Sequence, residues 1–336
     1  MTTPPSRSAS AKANADLPEA VGPATISAVA ALASPSFRPH GPPAMNYVLT
    51  LVADRAATTL DAATIAELAD AASAGPAEIL SPGEAADLPC PAPVPPAVIA
   101  ALLGARPIDA FCLPLAGRRK RLLTADMDST IITAEVIDEL AAEAGIGAEI
   151  AAITARSMKG EIDFGTALRD RVARLRGTPL AALDRVAARL RPSAGARELI
   201  ATMRAHGAIT ALVSGGFTYF TARIAEHLGF SAHFANQLEN DGATLTGTVT
   251  EPVLDRDAKE RILRTLAAQH AIPLAETMAI GDGANDLAML QTAGLGIAFR
   301  AKPVVANAAR ARITHATLRA ALFAQGYRIS EFREGE

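Results

Sequence analysis

The stretch that most constrains this chain is Leu122-Leu123-Thr124-Ala125, a short apolar run that breaks into Asp126-Met127-Asp128-Ser129-Thr130. A run this short, opening directly into polar residues and then a helical pattern, suits a strand buried inside a parallel sheet. In open α/β sheets, ligands gather beyond the carboxyl ends of the strands, so both carboxylates are predicted to face a crevice. Acids one residue apart repel each other. A cation between or beside them relieves the repulsion, and ligation by oxygen alone suits Mg²⁺. Taken singly, the motif also reads as an ordinary strand end with a helix cap, because Asp, Ser and Thr are common capping residues.

Two later runs repeat the pattern. Ile209 to Val213 ends in Ser214-Gly215-Gly216 before a helix predicted from Phe217. A hydroxyl and small residues at a helix N-terminus form an anion site, although a plain glycine turn has the same composition. Met278-Ala279-Ile280-Gly281 runs into Asp282-Gly283-Ala284-Asn285-Asp286, where a glycine-rich turn lets the backbone approach a ligand while the acids face it. Between these runs, an amphipathic helix over Asp257 to Gln269 carries Lys259 in its first turn. A cation there opposes the helix dipole, which points to a role other than local stability. Asn240-Asp241-Gly242, flanked by His233 to Leu238 and Ala243 to Thr250, signals a hairpin, and Gly296 to Phe299 reads as a further strand.

Far more than one crossover helix separates the first two runs. The pattern predicts helices over Thr133 to Glu143, through Ile150 and Ile153 to Met158, over Asp163 to Leu175, and over Pro179 to Arg191 and Ser193 to His206. Asp163 is placed as an N-cap, and Phe164 and Arg171, seven residues apart, share a face. A parallel connection needs a single helix, so the excess reads as a helical cap inserted at about residues 133–200.

At 336 residues the chain has room for about two domains. Residues 1–44, rich in Ala, Ser and Pro and without periodicity, read as a disordered tail. The Ala-rich run Ala24 to Ala33 imitates the apolar part of a signal peptide, but Asp16 and Glu19 precede it and secretion is not expected. Residues 45–117 read as a small α+β unit: a strand at Tyr47 to Ala53, a helix at Asp61 to Ser73, a second at Val98 to Gly104, and a strand at Asp109 to Leu115. Its element order loosely resembles an ACT-like regulatory domain. Arg118-Arg119-Lys120-Arg121 reads as a solvated linker into the domain spanning 118–336. A net charge of −3 offers no footprint for a nucleic-acid backbone, and no stretch has the length of unbroken apolar residues that a membrane span requires. Cys90 and Cys112 lack metal-ligand spacing and suggest no disulfide framework, in keeping with a cytoplasmic protein acting on a small molecule.

Taken in order, two carboxylates, a hydroxyl with glycines, a helix lysine and two further carboxylates at strand ends resemble the haloacid dehalogenase-like hydrolases. Within them, the chain from about Leu122 to Phe332 is similar to the phosphoserine phosphatase family. The resemblance implies a Rossmann-like α/β core with parallel sheet and helical cap, and Mg²⁺-dependent hydrolysis of O-phospho-L-serine to serine and phosphate. It implies Asp126 as the nucleophile that forms an aspartyl-phosphate, and Asp128 as the acid and base whose backbone carbonyl also binds Mg²⁺. Asp282 and Asp286 would complete the metal ligands, with Asn285 supporting metal, water or substrate. Ser214, Gly215 and Lys259 would hold the phosphoryl group. In the cap, Glu135 would receive the substrate ammonium, Arg171 its carboxylate, and Met158 and Phe164 would cover it. A homodimer, and an amino-acid effector at the N-terminal unit, are compatible with the resemblance. So are a phosphotransferase acting on another alcohol, a phosphatase for a different phosphoester, and an inert regulatory relative.

Overall fold

Two main sheets carry the chain, and the acid-bearing strand lies at the centre of the larger one. The computed structural model describes residues 44–335. The expected tail, apart from Ala44, and the Ala24 to Ala33 run lie outside the described residues. Among those described, no helix is long and apolar enough to cross a membrane.

The first sheet is antiparallel, with strands β1 (Tyr47–Ala53), β2 (Glu78–Ser81), β3 (Ala85–Cys90) and β4 (Ile108–Pro114) in the order β2-β3-β1-β4. Helix α1 (Ala62–Ala71) follows β1 and α2 (Pro96–Leu103) precedes β4, giving a split β-α-β-β-α-β unit. Asp61 caps α1 by accepting from the Thr64 amide at 2.8 Å. The β2–β3 hairpin was absent from the sequence reading, because β3 reads Ala-Ala-Asp-Leu-Pro-Cys and its proline argues against a strand. Pro89 is tolerated because the pairing with β2 ends at Asp87, before the proline is reached.

The second sheet is wholly parallel. Its strands are β5 (Leu122–Ala125), β6 (Ile209–Phe217), β7 (Ala232–Asn236), β10 (Thr277–Gly281), β11 (Leu295–Phe299) and β12 (Ala311–Ile313), in the order β12-β11-β10-β5-β6-β7. The chain leaves β5 toward β6 and β7, then returns to β5's other side to add β10, β11 and β12. The strand order therefore reverses at β5, the place where doubly wound sheets open a ligand crevice. Alternate residues feed the two faces. Leu123, Leu212 and Ile280 join one core, whereas Leu122, Ala211, Val213 and Ala279 join the other. β12, three residues long, is too short to stand out in the sequence.

The helical insertion contains α3 (Val136–Glu143), α4 (Gly147–Met158), α5 (Phe164–Arg174) and α6 (Leu180–Arg189). Two crossing segments tie its ends to the core: Ser193 N donates to Ile131 O at 2.8 Å, and Thr133 N to Arg191 O at 3.0 Å. Helix α7 (Ala196–Ala205) lies past this neck and packs on β6 and α8 (Thr218–Leu228). It is thus the crossover helix that the parallel connection requires, and the insertion ends nearer Arg191 than residue 200. The hairpin β8 (Leu238–Asn240) and β9 (Leu245–Val249) forms at the Asn-Asp-Gly turn, with β9 against α5. Helices α9 (Ala258–Gln269), α10 (Leu287–Thr292), α11 (Pro303–Ala306) and α12 (Ala320–Phe323) complete the chain.

In the basic run at residues 118–121, Arg119 and Arg121 are exposed, as expected of a solvated linker, but Arg118 is not. Arg118 donates to both Asp87 oxygens at 2.6 and 3.1 Å, to Thr50 Oγ1 at 2.9 Å and to the Phe323 and Ala324 carbonyls at 3.2 and 3.3 Å. Its side chain is only 10% exposed, because the small unit docks over it. Glu84 and Arg319 form a second cross-unit pair at 2.9 to 3.0 Å. The Asp109 carboxylate accepts from the Thr314, His315 and Ala316 amides at 2.8, 3.0 and 2.8 Å.

Candidate active site

The register that pairs Ala125 with Ile280 sets Asp126 just beyond the sheet, its amide donating to Ile280 O at 2.9 Å. Asp126 Oδ1 accepts from the Met127 amide at 2.8 Å and pairs with Lys259 Nζ at 2.7 Å. Lys259 reaches across from the first turn of α9 and also donates to Asp286 Oδ1 at 2.6 Å. Burial alone would lower the Lys259 pKa, but Asp126 and Asp286 outweigh it and hold the ammonium charged, above its usual range. This is the role that its unfavourable position on the helix dipole foreshadowed.

Burial, then repulsion from Asp286, pushes Asp126 well above the usual carboxylate range despite Lys259. Asp282 is pushed up to about 6 by burial, Asp286 and Glu135, and accepts from Thr130 Oγ1 at 3.2 Å. Ligand oxygens of Asp126, Asp282 and Asp286 lie within 4.8 Å of one another. Three carboxylates this close together fit a hard divalent cation bound by oxygen. The Asp128 carboxylate is turned away from that group. Its Oδ1 accepts from the Val136 amide at 3.0 Å and its Oδ2 from Ser214 Oγ at 3.0 Å, while burial and Glu135 push it up to about 7.

Glycines keep these walls close. A Cβ at Gly281 would overlap the Asp286 carboxyl, and one at Gly216 would lie 3.2 Å from Asp128 Oδ2. Ser214 and Gly215 lie within the last residues of β6, and α8 begins at Thr218 with Phe217 as its N-cap, next to the predicted start. Ser214 Oγ accepts from the Gly216 amide at 2.8 Å while donating to Asp128.

Phe164, at the start of α5, closes the site from the cap, its ring tip 3.0 Å from the Cβ position of Gly215. Together with Ser214, Gly215, Lys259 and Asn285 it lines a narrow pocket of about 10 Å³. Glu135 and Arg171 stand at the cap side, and the fields of Asp138, then Glu135 and Asp128, all reach Arg171. Glu135 accepts from Ser129 Oγ at 2.5 Å. Arg171 spends only Nε, on the Ala167 carbonyl of its own helix at 3.2 Å, and burial lowers its pKa. Its terminal nitrogens have no partner among the described residues. Met158 is not brought to this pocket: at 69% exposure it lines a different cleft, of about 270 Å³, between α3 and α4.

Several residues at the site carried no individual signal in the sequence. Thr130 and Ser129 sit inside the first motif, and their contacts to Asp282 and Glu135 required the left-handed backbone at Ser129, φ +53°. Buried Asn236 donates from Nδ2 to Gly215 O at 2.9 Å and accepts at Oδ1 from the Leu254 amide at 2.7 Å, joining two walls of the pocket.

The model of the haloacid dehalogenase-like hydrolases matches residues 123–291. The phosphoserine phosphatase of Archaeoglobus fulgidus is 45% identical over 201 residues, 60% of this chain and 58% of that protein. That of Streptomyces coelicolor is 47% identical over 209 residues, 62% of this chain and 51% of the relative. The chain thus spans a little over half the length of these curated relatives. Among solved structures, a haloacid-dehalogenase-family hydrolase from Salmonella enterica serovar Typhi is similar with a TM-score of 0.76 at 31% identity, covering 84% of this chain and 98% of that one.

Proposed function

The chain belongs to the haloacid dehalogenase-like hydrolases, and on that premise we propose that it is a phosphoserine phosphatase, hydrolysing O-phospho-L-serine to serine and phosphate with Mg²⁺. The observation that carries the choice of substrate is Arg171, a half-buried cation whose terminal nitrogens make no hydrogen bond or close ion pair among the described residues, in the field of Asp138 and Glu135 on the cap side of the pocket. A zwitterionic amino-acid end presents a carboxylate to one and an ammonium to the other.

Asp126 is the nucleophile. Its Oδ1 is taken by Lys259 and the Met127 amide, so Oδ2 attacks phosphorus as the bond to the serine oxygen breaks. Asp128, protonated near neutrality and held by Ser214 and the Val136 amide, delivers its proton to the leaving oxygen. Water then attacks the phosphorus of the aspartyl-phosphate while the Asp128 carboxylate takes its proton, the bond from phosphorus to Asp126 Oδ2 breaks, and the Asp126 carboxylate and free phosphate are released. Mg²⁺ held by Asp126, Asp282, Asp286 and the Asp128 carbonyl would neutralise phosphoryl charge. Lys259 holds the nucleophile in place and adds positive charge beside it. Ser214, Gly215 and Asn285 bind the phosphoryl oxygens, and Phe164 excludes water from above.

The test is phosphate release from phosphoserine, with and without Mg²⁺, alongside borohydride trapping of the protein during turnover. Reduction of Asp126 to homoserine, dependent on phosphoserine, supports the covalent route. No trapped product during rapid turnover, or release independent of Mg²⁺, refutes it.

A further inference from the structure

Lys259 is fully engaged by Asp126 and Asp286, and Arg261 is held by Asp255 at 2.9 Å. Arg256 lines the same pocket as Ser214, Lys259 and Asn285, is exposed, and its guanidinium has no hydrogen bond or ion pair among the described residues. Its position is built. The Asn236 amide ties Leu254 to Gly215, Asp255 is fixed by Arg261, and the Ala258 amide closes the turn on Asp255 O at 3.1 Å. The loop that presents Arg256 is thereby clamped to the strand end that carries Ser214.

The charge balance gives this placement a purpose. Asp126, Asp128, Glu135, Asp282 and Asp286 crowd the site, and a phosphate monoester must approach them as a dianion. A cation inside the pocket that is already neutralised by carboxylates draws the dianion weakly from a distance, whereas an unpaired one at the mouth acts along the whole approach.

We infer that Arg256 captures the phosphoryl dianion at the pocket mouth, setting how readily phosphate groups arrive and how tightly product phosphate is held. This rests on the phosphatase reading above. Capture of this kind acts on KM and on inhibition by inorganic phosphate, and leaves the chemical step to Asp126 and Asp128. One unit charge acting on a dianion near the surface alters binding by roughly three- to tenfold.

The experiment compares the full chain with Arg256→Gln, Arg256→Glu and Arg256→Lys. Arg256→Gln should raise KM for phosphoserine and Ki for inorganic phosphate in parallel, by roughly three- to tenfold at low salt, with kcat little changed. Arg256→Glu should raise both further, and Arg256→Lys should restore most of the loss. The differences should shrink as ionic strength goes from about 0.02 M to about 0.5 M. An unchanged KM, a loss confined to kcat, or a KM penalty insensitive to salt overturns the inference. If the native chain proved inactive on phosphoserine, the substrate reading would fall, while calorimetric binding of inorganic phosphate to the same variants would still decide the role of Arg256.

Discussion

Arg171→Ala separates stability from recognition. In the free protein, Arg171 makes one hydrogen bond, to its own helix carbonyl, and no ion pair within 4 Å. Losing that bond costs about 1 kcal/mol at most, and the Asp138, Glu135 and Asp128 carboxylates act on the cation only from beyond ion-pair distance, while its burial opposes them. The melting temperature should therefore move by no more than about 3 °C. With phosphoserine bound, the same side chain would face a carboxylate that has left water, and truncating one partner of such a pair commonly costs about 2 to 5 kcal/mol. The fall in kcat/KM should accordingly be roughly 30-fold to several thousand-fold. Phosphoethanolamine keeps the ammonium and the phosphate but lacks the carboxylate, so its kcat/KM should change by less than about fivefold. Steady-state kinetics on both substrates, with thermal unfolding of both proteins, settles the matter. Equal fractional losses on the two substrates would remove Arg171 from the carboxylate site, and a large fall in melting temperature would refute the claim that it is unpaired.

Asp126→Asn keeps the shape that the Met127 amide and Lys259 recognise but removes the nucleophile, so kcat should fall more than about 100-fold, or 2.7 kcal/mol; retention above one per cent of activity in a contaminant-free preparation would sink covalent catalysis. Gly281→Ala places a methyl group against the Asp286 carboxyl. Mg²⁺ affinity, measured by calorimetry, should weaken at least about tenfold, and unchanged affinity would show that Asp286 is no ligand. Asp109→Ala strips the Thr314, His315 and Ala316 amides of their shared acceptor. A loss of about 2 to 4 kcal/mol, read as a melting temperature lower by roughly 5 to 12 °C with kcat preserved, is expected; an unshifted melting curve would mean that water replaces the carboxylate at no cost.

The parts of this molecule that were readable in the sequence are those where local pattern and burial agree. Leu122–Ala125, Ile209–Val213 and Met278–Gly281 are apolar because both faces of the parallel sheet are covered, so the strands bearing Asp126, Ser214 and Asp282 stood out. Asp61 and Asp163 announced their helices by capping them. What escaped depends on distant partners. Asp87 and Pro89 look wrong for a strand until Arg118 and the limited β2 register are known, and Asn236 carries no mark of its use. Arg118 itself read as surface because its partners lie 31 and more than 200 residues away. The length of β6 was underestimated because Ser214-Gly215-Gly216 has turn composition, yet the strand continues through it by a shift in register against β7.

The docking of the small unit also has a consequence for how the chain is made. Its sheet needs only residues 47–114, all paired among themselves, so it is ready soon after it leaves the ribosome. The groups it docks against come last: Asp109 waits for residues 205 to 207 positions later, Glu84 for Arg319, and Glu78 for Arg328. At about 5 to 20 residues per second, those intervals are roughly 10 to 50 s. Throughout them Glu78, Glu84 and Asp109 lack these partners, and a nascent chain halted before Thr314 has every catalytic side chain but none of those three C-terminal anchors.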